Sequence, residues 1–300
     1  MKTKLLILNA TILLMAAVLS FIGCRKPKAP NDTDTSGVSD NSLAEQSFND
    51  MHQISDEASK GNTTNYKMAE PDGLLTASCA TITIVKQADS SGVITVDFGS
   101  TSCLCRDGRY RKGKIFISYT TGNHSLGYWD VGSTIDITTM PDNTYFVGPD
   151  QNSMNQIIGT RSVTNNGLNA AGHMNWSINV DGRIIKTDGK TIKWTANRTR
   201  EMLTGLLSMP RVFSISGSAS GTSANGTPFN MNITSPLVDG ILGTSGMPSS
   251  RCHWFTSGTF DFTPGTKPTR HVDFSSPNNG ACDDEATVTI NSNVYTVHMK

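Results

Sequence analysis

HMNWSINVDGRIIKTDGKTIKWTANRTR, residues 173–200, decides how the chain is read. From His173 to Val180, and again from Lys190 to Arg200, apolar and polar residues alternate. A period of two places one set of side chains on each face of a strand. Asp181-Gly182 and Asp188-Gly189 interrupt the alternation, and Asp-Gly supplies the positive φ of two-residue hairpin turns. The stretch therefore predicts three short strands, His173–Val180, Arg183–Thr187 and Lys190–Arg200, joined by tight turns.

The same signal runs outward in both directions. Upstream it covers Ala80–Val85, Val93–Phe98, Lys114–Tyr119, Ser133–Thr138 and Gln156–Thr164. Downstream it covers Val212–Ala219, Phe229–Ile233, Gly258–Phe262, Ala286–Ile290 and Val294–Met299. Asp107-Gly108, Asn166-Gly167 and Asn225-Gly226 mark further turns. Short links make sequential strands antiparallel neighbours. Glycines inside strands, among them Gly159 and Gly217, mark bulges or sharp bends. The expected fold is mainly β, an antiparallel meander forming a curved sheet, sandwich or barrel, with one short N-terminal helix. That helix is expected over residues 41–60, where Leu43, Ala44, Phe48, Met51, Ile54 and Ala58 recur near the 3.6 period. Asp40 or Asn41 would cap it and Gly61 would stop it. A single apolar stripe on an otherwise polar segment predicts weak packing or none.

The first 24 residues have a different character. Lys2 and Lys4 precede an apolar run from Leu5 to Ile22, and Phe21-Ile22-Gly23-Cys24 follows. This order is that of a secretory signal, and a cysteine directly after a small residue resembles the lipobox of bacterial lipoproteins. Cys24 is then the lipidation site, and its acyl chains give stable membrane anchoring. An uncleaved N-terminal anchor is the alternative. Residues 1–23 are read as signal peptide, 24–40 as lipidated Cys and disordered tether, 41–77 as helix and linker, and 78–300 as a single β-rich domain.

Charge excludes one class of partner. The whole chain has 25 basic and 25 acidic residues, and loss of Lys2 and Lys4 leaves a slight acidic excess. That is no footprint for nucleic acid. The expected partners are a membrane, through the lipid anchor, and an envelope polysaccharide or protein. Export makes disulfides the expected state of the five remaining cysteines, Cys79, Cys103, Cys105, Cys252 and Cys282. Cys79–Cys103 and Cys252–Cys282 are the expected pairs, with Cys79–Cys105 the alternative to the first. The unpaired member of Cys103 and Cys105 would be the reactive thiol. Cys103-Leu104-Cys105 is too tightly spaced for a zinc knuckle, so no metal and no cofactor is expected.

Several blocks taken together carry a family resemblance: Asp97-Phe98-Gly99 to Cys103, Arg111 to Ile115, Gly159-Thr160-Arg161 with Asn165 to Gly167, Asn197 to Glu201, Gly217 to Gly226, and Gly280 to Ala286. The ensemble looks like a group of uncharacterised β-rich lipoproteins of Bacteroidota. The resemblance implies compartment and fold, and no activity. Arg25-Lys26-Pro27-Lys28 stands where surface-exported lipoproteins of those bacteria carry an acidic stretch. The expected location is the outer membrane, lipid-anchored and facing the periplasm, with the cell surface as the alternative.

Candidate chemistry is sparse. No His pairs with another His or a carboxylate at metal-ligand spacing, and Cys252-His253 puts adjacent residues on opposite strand faces. Asp283, Asp284 and Glu285 form an acidic turn, solvated or calcium-binding. Arg106, Arg109, Arg111, Lys112 and Lys114 surround Asp107-Gly108 as a solvated hairpin edge or a patch for anionic lipid heads or polysaccharide. Arg198, Arg200 and Glu201 read as a strand face with local ion pairs. Trp176 and Trp194, in consecutive predicted strands, are core residues or a stacking platform for sugars. No catalytic residue can be named. The expected function is a non-enzymatic structural or binding module; the alternatives are an envelope hydrolase or glycan-processing enzyme, and a carbohydrate-binding module.

Overall fold

The computed structural model describes residues 31–60, 79–120, 128–204, 212–239 and 254–299. Cys24 and the signal region lie outside them, as do Cys252 and His253. Among the described residues no helix is long and apolar enough to cross a membrane.

Among the described residues sixteen strands form one antiparallel sheet around one helix, α1 (Ser36–Lys60). The strands are β1 (Thr81–Lys86), β2 (Gly92–Asp97), β3 (Cys103–Leu104), β4 (Tyr110–Lys112), β5 (Lys114–Tyr119), β6 (Thr134–Thr138), β7 (Phe146–Gly148) and β8 (Asn155–Leu168). They continue with β9 (Met174–Ile185), β10 (Thr191–Thr204), β11 (Val212–Thr222), β12 (Pro228–Asp239), β13 (Phe255–Pro264), β14 (Arg270–Asp273), β15 (Glu285–Ile290) and β16 (Asn293–His298). Their order is the meander β1-β2-β5-β6-β8-β9-β10-β11-β12-β13-β14-β15-β16, with β3, β4 and β7 pairing off this path. β1 and β16 end the path without pairing to each other, so the sheet is curved and open rather than a closed barrel.

Two of the Gly-containing dipeptides are not the expected hairpin turns. Asp181-Gly182 lies inside β9, which runs unbroken from Met174 to Ile185. Gly182 faces Gly159 on one side and Trp194 on the other, and a Cβ there would meet Phe48 Cζ at 2.2 Å. The glycine is a seat for a helix side chain, not a turn residue. Asn166-Gly167 sits at a bulge within β8, and the chain reverses afterwards through Asn169–His173. At Asp107-Gly108, Asp188-Gly189 and Asn225-Gly226 the turns are as expected, each with the glycine at positive φ.

The helix departs most from expectation. It starts at Ser36, inside the stretch read as tether, and belongs to the same compact unit as the strands, Asp34–Lys300. From Gly37 to Ser59 every residue is buried or half-buried. Val38, Ala44, Phe48, Met51, Ile54 and Ala58 are fully buried, and Asp40, Asn41, Glu45 and Asp50 are buried as well. The polar face is covered because strand residues answer it. Arg111 binds Asp50, with Nη2 2.6 Å from Oδ1, and Arg198 Nη2 lies 2.7 Å from Glu45 Oε2. Arg161 Nη1 donates to Asn49 Oδ1 (3.0 Å), Trp194 Nε1 to Asn41 Oδ1 (2.9 Å) and Lys186 Nζ to Asp40 Oδ1 (3.1 Å). Burying a charge is costly unless it is paired. Asp50 and Glu45 meet arginines of β4 and β10 and Asp40 a lysine just past β9, while Arg161 meets the neutral Asn49 amide oxygen and burial lowers its pKa to about 10.

The basic cluster is therefore not a single solvated edge. Arg111 is fully buried between Asp50 and Asp107, Arg109 reaches Asp50 at 3.5 Å, Lys112 covers the Phe146 ring and Lys114 pairs with Asp97. Arg198 points inward to Glu45 instead of pairing locally.

Candidate functional site

The helix packs on the inward face of β2, β6 and β8–β10, and the outward face carries a different set of side chains. Along β6 and β8–β13 many outward residues are small hydrogen-bonding side chains, and the register aligns them in rows, with the paired cations Arg183 and Lys193 exposed just beyond one margin. One row is Asp136–Ser162–Asn179–Asn197–Ser218–Asn232–Asp261, each the paired neighbour of the next. A second is Thr138–Thr160–Asp181–Thr195–Ser220–Asn230–Thr263. A third, Thr134–Thr164–Ser177–Thr199–Ser216, spans β6 and β8–β11. Paired strands lie about 4.8 Å apart and same-face residues about 6.8 Å apart, so the rows form a lattice of hydroxyls and amides. None of these residues is buried. No Lys, Arg or aromatic residue stands in any row; the only charged members are Asp136, Asp181 and Asp261.

The first two rows frame an open groove of about 320 Å³ across β10–β13. Thr195, Asn197, Ser218, Ser220, Asn230 and Asn232 line it, with Asp261 and Thr263 on the far side. Hydroxyls elsewhere in the lattice are spent on each other: Thr160 donates to Thr138 (2.9 Å), Thr134 and Thr164 share a bond of 2.9 Å, and Ser162 donates to Asp136. In the groove Thr195 bonds Ser220. Among the described residues the side chains of Asn197, Ser218, Asn230 and Asn232 have no protein partner, so their donors and acceptors are available.

The lining of the groove holds few titratable groups. Asp261 is its one carboxylate, whereas glycoside hydrolysis by the usual route uses two. His271 Nδ1 lies 2.7 Å from Asp261 Oδ1, but on β14, with Asp261 between it and the groove serines. A serine triad needs the reverse order, with His between Ser and Asp.

The tryptophans offered as a platform are core residues. Trp176 and Trp194 are at most 1% exposed. Trp176 stacks on Tyr128 (5.1 Å, 13°) and donates to the Tyr128 carbonyl; Trp194 stacks on Phe48 (5.8 Å, 11°). Neither presents a face to a sugar. Their register also separates them, since Trp176 pairs with Arg200 and Trp194 with Gly182.

The acidic turn does not converge on one point. Asp283 and Glu285 accept from the Asn278 amide, and Asp284 binds His298 Nδ1 at 3.0 Å. That contact raises the His298 pKa. His173 likewise meets Glu201 at 2.6 Å, and the Asn169 amide first, then His173, hold that carboxyl below its usual range. These pairings cross strands and turns, so no local spacing announced them.

Cys79 and Cys103 form a disulfide with Cα atoms 5.6 Å apart, and Cys105 is a buried free thiol. The β1–β2 hairpin brings the first two together, Thr81 pairing with Asp97. Cys282 is disulfide-bonded; the expected pairing with Cys252 falls outside the described residues. Cys105 is not the open reactive thiol expected: burial pushes its pKa up, against the pull of Arg111. Cys79, Cys103 and Cys105 are the one group of three potential metal ligands that comes together among the described residues, and the disulfide occupies two of its sulfurs.

Comparison with protein-family models, with curated proteins and with solved structures finds no match to this chain.

Proposed function

We propose that the mature chain is a lipid-anchored module of the bacterial envelope that binds, without chemistry, a neutral hydroxyl-rich polymer on the outward face of its sheet. The observation that carries this reading is the lattice of Ser, Thr and Asn rows and the groove they frame. Amide and hydroxyl groups give and accept hydrogen bonds in the manner a glycan offers them. The three rows carry three aspartates and no cation, and Arg183 and Lys193 stand outside them, so the charge of the rows themselves favours a neutral polysaccharide over an acidic one. A single groove carboxylate argues against the hydrolase alternative.

The anchor is Cys24, on the outer membrane and facing the periplasm, with the cell surface as the alternative. A palmitate analogue should label the wild-type chain and not Cys24→Ala; a mature protein still beginning at Met1 would refute this. For the ligand, affinity electrophoresis through gels containing a neutral glucan or an acidic polysaccharide is the direct test. The neutral polymer should retard the mature protein, and Asn197→Ala/Asn230→Ala/Asn232→Ala should cut the retardation at least fivefold with unchanged melting. Equal migration of wild type and triple variant, or preference for the acidic polymer, overturns the proposal.

A further inference from the structure

The cysteine count of the β-rich region is odd, and the structure places the extra thiol against the disulfide. Cys105 Sγ lies 3.3 Å from Cys79 Sγ, and the three sulfurs are all within 4.8 Å of one another. Reacting atoms held about 3–3.5 Å apart are at near-attack distance. The hairpin and the tight turn after β3 fix them there: Cys105 N donates to Arg109 O, and Gly108 N to Cys105 O. A second feature concerns the opposite end of the disulfide. The Cys79 carbonyl oxygen lies 3.2 Å from Cys103 Sγ, where it can accept a hydrogen bond from an S–H but not from a disulfide sulfur. Cys105 and Cys79 are buried, and Cys103 is half-buried.

We propose that Cys79, Cys103 and Cys105 form an intramolecular thiol–disulfide exchange site that moves a free thiol between the buried Cys105 position and the half-exposed Cys103 position. Cys105 loses its proton, and its thiolate attacks Cys79 Sγ. The Cys79–Cys105 bond forms, the Cys79–Cys103 bond breaks, and the bonding pair leaves with Cys103, which takes up the proton. One disulfide and one thiol exist before and after, so no oxidant or reductant is consumed. In the first isomer the thiol is hidden from reagents and partners; in the second it lies within reach of an external disulfide or electrophile, with the Cys79 carbonyl as its acceptor.

The charged groups facing Cys105 are Arg111 from β4, Asp107 from the β3–β4 turn and Asp50 from α1. Burial raises the thiol pKa, Arg111 opposes that rise, and the two carboxylates add to it. Only the thiolate attacks, so below that pKa the exchange rate rises about tenfold per pH unit.

The test uses the full mature protein, incubated oxidised between pH 7 and pH 9, quenched in acid, digested with pepsin and sequenced by tandem mass spectrometry across Leu104. Two isomers, Cys79–Cys103 and Cys79–Cys105, should appear, interconverting faster at higher pH. Native alkylation with N-ethylmaleimide should accumulate label on Cys103 rather than Cys105. Cys103→Ser, checked for folding by circular dichroism, should contain a Cys79–Cys105 disulfide. Cys79–Cys103 as the sole isomer at every pH, with label confined to Cys105, overturns the proposal; so does a folded Cys103→Ser protein in which Cys79 and Cys105 are both alkylated.

Discussion

Arg111 is a fully buried cation held by two carboxylates, Asp50 from the helix and Asp107 from the adjoining turn. Burial would raise the Asp50 carboxyl pKa, but Arg111 and Arg109 outweigh it and hold Asp50 below its ordinary value. Tyr145 adds a hydrogen bond to Asp50 (3.2 Å). Removing one member strands the others without water. Asp50→Ala and Arg111→Met should therefore each cost about 3–5 kcal/mol in urea unfolding. A cost below about 1 kcal/mol in both would show that water replaces the pair. Gly182 makes a steric claim at the same scale. Gly182→Ala forces a methyl into the Phe48 ring and should destabilise by about 1–3 kcal/mol; Phe48→Leu in the same chain should recover part of that loss, which an independent backbone effect would not allow.

The helix is the element on which the architecture depends. Asp34 opens it as a cap does, accepting from Ser36 N at 3.1 Å, while its other oxygen takes Lys267 Nζ at 3.0 Å. The Ser36 hydroxyl first, then Lys267, hold its pKa at about 2, against a reference of 3.8. A depressed pKa means stability present above about pH 4 and lost as pH falls towards 2. Asp34→Ala should cost about 1 kcal/mol at pH 7 and flatten the acid limb of the stability curve between pH 4 and pH 2. An unchanged limb would place that acid sensitivity in other carboxylates, Asp50 first among them. Further along α1, Phe48 fills the space left by Gly182 and stacks on Trp194. Phe48→Ala should cost about 3–5 kcal/mol.

A helix enclosed by the sheet should unfold with the sheet. Native-state hydrogen exchange should give the amides of residues 44–58 protection equal to that of β9 and β10; fraying of the helix while the strands stay protected would contradict its place in the core. The meander was legible in the sequence because alternation and turn chemistry are local: β5 matches the expected Lys114–Tyr119, and Asp188-Gly189 and Asn225-Gly226 turn where they should. That Cys79 pairs at the far end of its hairpin was legible for the same reason, but the choice of Cys103 over Cys105 was not, because both lie at that end. The short strands β3, β4 and β7 carry too few residues to show a period. The lattice rows were half legible: alternation assigns each outward residue a face, but only register aligns Asn197 with Ser218 and Asn232. Tertiary structure alone decided where the polar face of the helix goes. Asp50 finds Arg111 across 61 residues, and Glu45 finds Arg198 across 153. Read locally, those carboxylates describe a solvated helix, and those arginines a solvated strand. Pairing offsets part of the charge cost of burying each, and no pattern within a window of sequence records a partner so far away.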